Sequence, residues 1–284
     1  MNPPRCVAVA FCVMALSASR GWPDSRQTDG QSWHRYEWRA STFSPSAQHE
    51  AALDAGPDGQ IVAVWSSRRQ QDGRAGVYLQ RFDRDGVAIG SETAAGLTPG
   101  VHQIGPSVAV DGKGNTWVVW QSHNQDGQAG GIFARRFDPQ FVGGPEIPVN
   151  QQWRGHQSKP VVAASAQGNV VILWSSLLPG SARPRLQARL FGPDGQAVTD
   201  EFRVSNAEDQ AEMLGSAAFS PDGSFAVVYG AFDKDMKPAG IRFQRFDAAG
   251  RRLGDELAVS GPPAASQIEP VIAATRDGYV VAWH

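Results

Sequence analysis

Apolar residues along this chain come in short runs, each closed by glycine, asparagine, aspartate or proline, and the runs recur. IVAVW (61–65), TWVVW (116–120), VVILW (170–174), FAVVY (225–229) and YVVAW (279–283) end in an aromatic residue, at steps of 55, 54, 55 and 54. Phe82, Phe137, Phe191 and Phe246 keep the same beat, as do Glu37, Glu92, Glu146, Glu201 and Glu256. A fixed period of this length means one supersecondary unit copied in series. No stretch of useful length shows a 3.6-residue period.

The unit 105–151 shows what is copied. PSVAV (106–110) is an apolar run and DGKGN (111–115) a turn. TWVVW is continuously apolar, as a strand buried on both faces must be. A polar loop to Gly131 leads to IFARRF (132–137), then a turn, then EIPVN (146–150), whose proline suits an edge strand. Four short strands with hairpin connections, repeated, predict an all-β fold: a β-propeller of four-stranded antiparallel blades, about five of them present. The units fall at about 44–98, 99–152, 153–207 and 208–262 of a domain spanning 21–284. A partial unit follows over 263–284, and an isolated outer-strand copy precedes them at 36–42. That copy is placed to close the last blade. Either the ring closes with a three-stranded blade, or the chain is a fragment of a longer repeat protein.

Composition adds little against this reading. Of 284 residues, 41% are hydrophobic, enough for a sizeable core, and 31 glycines with 19 prolines suit many tight turns. A net charge of -2 gives no reason to expect nucleic acid as a partner. Arg5, the apolar stretch 6–16 and the small residues at 17–19 read as a signal peptide over 1–20, too short for a transmembrane anchor. A secreted, periplasmic or cell-surface protein is expected. Both cysteines, Cys6 and Cys12, lie in that segment, so the mature chain offers no disulfide and no thiolate metal site.

The run Trp120-Gln121-Ser122, Asp126-Gly127, Arg135-Arg136-Phe137-Asp138 and Glu146 to Asn150 resembles a repeat of secreted and cell-surface bacterial proteins. Trp65-Ser66-Ser67 through Phe82-Asp83 is a second copy. The resemblance covers 37–284 and implies a propeller. More weakly, FSPDG (219–223) is similar to TolB-type propellers, and DGKGNTW (111–117) comes near the Asp-turn motif of sialidases.

The repeated Arg81, Arg136 and Arg245 exchange with Leu190, which predicts stems packed between blades. The repeated glutamates read as turn or inter-blade partners. Gln48, Gln103, Gln157 and Gln267, with Glu212 in the fourth unit, form a column just before the first strand, placed either to bond loop backbone or to face a polar ligand. On a repeat scaffold, function sits where copies differ, in loops of one face. That singles out Trp153, Arg154 and His156, with His102, His123, Asp126, Gln103 and Gln157, as ligand-binding candidates. No catalytic residues, metal ligands or cofactor are expected. These features predict a binding module for a protein or carbohydrate ligand. The alternative is a glycan-active hydrolase or lyase.

Overall fold

The computed structural model describes residues 7–8, 40–43, 45–71, 73–127, 129–208, 210–260 and 267–284. The expected signal segment lies outside these, apart from a two-residue strand, β1 (Val7–Ala8), and so does most of the outer-strand copy at 36–42. Among the described residues no helix is long and apolar enough to cross a membrane.

Four sheets follow one another, each four-stranded and antiparallel in chain order. Blade 1 comprises β2 (Gln48–Ala55), β3 (Ile61–Gln71), β4 (Arg74–Phe82) and β5 (Ala88–Ala94). Blade 2 comprises β6 (His102–Val110), β7 (Thr116–His123), β8 (Gly131–Phe137) and β9 (Gly143–Pro148). Blade 3 holds β10 (His156–Ala164), β11 (Val170–Leu177), β12 (Arg185–Phe191) and β13 (Phe202–Arg203). Blade 4 holds β14 (Ala211–Phe219), β15 (Phe225–Phe232), β16 (Pro238–Phe246) and β17 (Arg252–Ala258). A fifth, three-stranded sheet pairs β18 (Val271–Ala274) antiparallel with β19 (Tyr279–Ala282), and β1 lies parallel to β19. The inner strands β2, β6, β10, β14 and β18 pack side by side in that order, as strands lining a propeller axis do.

The core lies between blades. On β7, Val118 and Trp120 join the cluster shared with blade 1, whereas Trp117 and Val119 join the one shared with blade 3. β11 divides in the same way, Ile172 and Trp174 toward blade 2, Val171 and Leu173 toward blade 4. Side chains alternate across a strand, so a strand covered on both faces must be apolar at every position. That accounts for the continuous runs in the sequence. Among the described residues nothing covers the far face of blade 1 at Leu53, which is 73% exposed, while its counterparts Val108 and Val162 are each 7% exposed.

The inner strands differ from the sequence reading. In blades 1 to 4 they begin about four residues earlier than PSVAV suggests, because each passes through a bulge rather than starting after one. Glu50, Gly105, Lys159, Leu214 and Glu269 occupy the same place in the five units, with φ of 54, 60, 54, 58 and 53°. Ladder pairing skips at this point in blades 1 to 4, between His49 and Ala52, Ile104 and Ser107, Ser158 and Val161, and Met213 and Ser216. A bulge bends a strand and redirects its side chains. Only one of the five residues is glycine, so the usual signal for positive φ is missing from the sequence.

Candidate functional site

The repeated polar residues serve the scaffold. Glu146 accepts the N–H groups of Leu97 and Thr98 (2.5 and 3.2 Å) and the Thr98 hydroxyl (2.5 Å), tying the outer strand of blade 2 to the loop that enters it. Glu92 does the same with Thr42, and Glu201 with Gln151 and Gln152. Glu256 instead meets Arg242 and the hydroxyl of Tyr229, the residue that stands where the other units have tryptophan. Burial and that carboxylate push the Tyr229 phenol far above its usual range.

Two of the ligand-binding candidates belong to this scaffold as well. Gln103 is 5% exposed and Gln157 is fully buried; the latter donates to the Arg154 carbonyl at 3.2 Å. The extended inner strands carry both inside, and Gln157 there bonds loop backbone, the first of the two roles the sequence left open. Glu212, their counterpart in blade 4, is fully buried. It accepts the Leu186 N–H at 3.1 Å and lies 3.5 Å from both Arg185 and Arg203. Burial raises its carboxyl above the usual range, a rise that the N–H and the two guanidinium groups oppose.

The histidine candidates converge. β6 and β7 pair His102 with His123 across the ladder, and the bridge from Gly130 sets His156 beside the start of β8. The rings of His123 and His156 meet edge to face with centroids 6.2 Å apart. His102 accepts the Ala75 N–H through Nδ1 at 3.3 Å, which puts the proton of its neutral form on Nε2. Gln121 holds His123 through a 3.1 Å contact between Nε2 atoms. Desolvation lowers the His123 pKa below the ordinary imidazole value, and the neighbouring His156 and His102 lower it further.

His102 and His123 open into a pocket of about 410 Å³ between blades 1 and 2, which they share with His49 and Glu50 of β2. The hairpin between β3 and β4 supplies its third wall through Arg68, Arg69 and Arg74. Glu50 sits on its bulge, and its Oε2 accepts the Gly105 N–H (2.8 Å) and the Ser66 hydroxyl (3.0 Å), with His49 Nδ1 at 3.4 Å. Oε1 makes none of these contacts, and the side chain is 48% exposed. His49, Glu50 and the arginines were missed from the sequence. The visible signal was the difference between copies at 68–70, where RRQ stands against HNQ, LLP and FDK in the following units.

Trp153 and Arg154 stand apart from this pocket, on the loop between blades 2 and 3. Trp153 is 48% exposed, with the Arg154 guanidinium 5.2 Å from its ring centroid. Asp126 lies in the hairpin loop of blade 2, close against Gly131, where an added Cβ would meet its carboxylate at 2.6 Å. Among the described residues no group of three or more His, Cys, Asp or Glu is arranged to hold a metal ion.

A larger cavity, about 600 Å³, lies between blades 2 and 3 at the turn end. Its charged groups are already engaged: Arg136 with Asn115, Arg189 with the Val149 carbonyl, and Asp138 and Asp194 with turn N–H groups. The pocket between blades 1 and 2 is therefore the better candidate.

No protein-family model matches the chain, and no curated protein matches it. Solved structures do. An alpha-L-arabinanase of Penicillium chrysogenum, complexed with arabinobiose, is 12% identical over 82% of this chain and 74% of its own, with a TM-score of 0.57. The alpha-L-arabinofuranosidase Arb93A of Fusarium graminearum, in complex with an iminosugar inhibitor, is 10% identical over 81% and 73%, again at 0.57. At these identities the likeness is one of fold. The chain is an all-β propeller of four-stranded antiparallel blades, built like these two proteins.

Proposed function

We propose that this protein is a glycan-active hydrolase working at its loop-bearing face, with Glu50 as one of two acid–base carboxylates. The placing of Glu50 carries this reading. Its bulge turns it into the pocket, two donors hold one carboxylate oxygen, and histidines of two blades surround it. Glycoside hydrolysis needs a second carboxyl group about 5–10 Å away, one group to protonate the leaving oxygen and one to attack or to activate water. Glu50 is the one carboxylate among the described residues that lines this pocket, so the second group has to come from beyond that lining. The imidazoles beside Glu50 provide hydrogen bonds to sugar hydroxyls. The fold shared with arabinan-acting enzymes supports a carbohydrate substrate and makes arabinan the first to try.

A second reading, a glycan-binding module, is favoured by Trp153. An exposed indole backed by a guanidinium is suited to stacking on a sugar ring.

Reducing-sugar release from a panel of neutral and acidic glycans tests both. The hydrolase reading expects turnover that falls at least about 100-fold in Glu50→Gln. Glycan binding that depends on Trp153, with no turnover, replaces it with the binding module. If there is neither turnover nor binding, both readings fail.

A further inference from the structure

The hairpin joining β3 and β4 reads RRQQDGR over 68–74. The same place holds HNQ, LLP and FDK in the next three units, so the scaffold does not demand these arginines. Consecutive residues of a regular strand point to opposite faces. Arg68 and Arg69 nevertheless line the same pocket, because the β3–β4 ladder skips between Arg68 and Gln71 and Arg69 adopts φ 59°. On the opposite wall His49 and Glu50 do likewise across their own bulge. A left-handed arginine is an uncommon conformation, and such outliers gather at ligand sites.

The wall groups are mostly donors. Arg68 and Arg69 share the lining with one carboxylate among the described residues, Glu50. His102, with Nδ1 engaged by Ala75, directs a donor from Nε2 in its neutral form. A planar guanidinium matches a carboxylate through two parallel hydrogen bonds. At about 410 Å³ the cavity has the size of a monosaccharide or small-ligand site.

We propose that the pocket between blades 1 and 2 is a subsite for an acidic sugar, with Arg68 and Arg69 receiving the sugar's anionic group and His102 donating beside them. The proposal rests on the glycan-active reading above and names its substrate class. A uronate carboxylate and a sulfate ester share the required chemistry, and the experiment separates them.

The test is calorimetric binding of free-acid oligogalacturonate, its methyl ester, a sulfated oligosaccharide and poly-glutamate to the full chain, at low and high salt. The parent is expected to bind a free-acid sugar at least 10-fold more tightly than the ester, and less tightly as salt rises. Arg68→Ala with Arg69→Ala erases that preference. Arg69→Gly alone, which suits the positive φ, weakens it in a chain whose fold is kept. Preference for the sulfated sugar assigns the site to sulfate. Equal binding of acid and ester, no binding, or poly-glutamate binding as tightly as the sugar overturns the proposal. Acid-selective binding with no cleavage of any glycan leaves the subsite standing and removes the hydrolase. Cleavage of a neutral glycan with no acid preference does the reverse.

Discussion

His123 of blade 2 and His156 of blade 3 meet edge to face, 6.2 Å between ring centroids, across a seam that joins residues 33 apart in sequence. His102 faces His123 from β6, and Gln121 holds the same ring from β7. A base whose pKa is lowered on folding contributes stability that is complete above its unfolded value. That stability is lost as pH falls through the ordinary imidazole value toward the folded one. Parent protein should therefore melt at a lower temperature at pH 5.5 than at pH 7.5, and His123→Gln should narrow the difference. Thermal midpoints at the two pH values, with an NMR titration of the ring, check this. A His123 that titrates at or above the ordinary value refutes it.

Glu146 collects two backbone N–H groups, one hydroxyl and the Gln125 amide. Its replacement by alanine leaves those donors without their acceptor. Hydrogen bonds to a charged group are worth about 1.5–3 kcal/mol each, less where water can replace the acceptor. We expect Glu146→Ala to destabilise the protein by about 2–3 kcal/mol in chemical denaturation. Glu92→Ala should cost less, because its contacts with Thr42 are exposed.

Glu212 is a buried carboxyl where the other units carry glutamine. Its pKa is raised on folding, chiefly by burial, so its contribution is complete below the unfolded carboxylate value and declines as pH rises through the folded one. Glu212→Gln keeps an acceptor for the Leu186 N–H and removes the charge. The variant should match or exceed the parent by up to about 1 kcal/mol at pH 7, with the gap closing near pH 4. A variant less stable than the parent at pH 7 would show that Arg185 and Arg203 outweigh the burial.

Gly112 lies where the turn of blade 2 touches the backbone of blade 3. A Cβ there would stand 2.4 Å from the Ala166 carbonyl oxygen and 2.6 Å from its Cα. Backbone cannot swing aside as a flexible side chain can, so Gly112→Ala should push the two blades apart and cost about 1–3 kcal/mol. Gly127, whose added Cβ would meet nothing within 4 Å, is the control for packing at a loop, though its φ of 82° adds strain of its own.

The period of the apolar runs made the four-stranded unit legible, since a strand such as TWVVW is apolar at every position only when both faces are covered. The repeated glutamates were legible as turn or inter-blade partners for the same reason, and Glu92, Glu146 and Glu201 tie the outer strand to the entering loop. The candidate site was only half legible. His102 and His123 stood out as departures from the repeat, whereas Gln103 and Gln157 left two roles open that only their burial separates. Positive φ at Glu50, Lys159, Leu214 and Glu269 is imposed by tertiary packing, and these residue types give no local sign of it. Glu50 therefore read as an ordinary strand residue. The coming together of the hairpin arginines with His49 depends on the same two bulges.

The division of each second strand between two seams has a mechanical consequence. Trp120 belongs to the seam between blades 1 and 2, and Trp117, three residues away, to the seam between blades 2 and 3. Truncating one loosens one joint and leaves the next intact, so the protein behaves as a row of hinged plates whose resistance to opening is set joint by joint. Among the described residues blade 1 shares a core cluster with blade 2 alone, Leu53 on its far side is 73% exposed, and the 68–74 hairpin hangs from that plate. The wall that carries the arginines thus belongs to an end plate of the row, beside the single seam that blade 1 shares with blade 2.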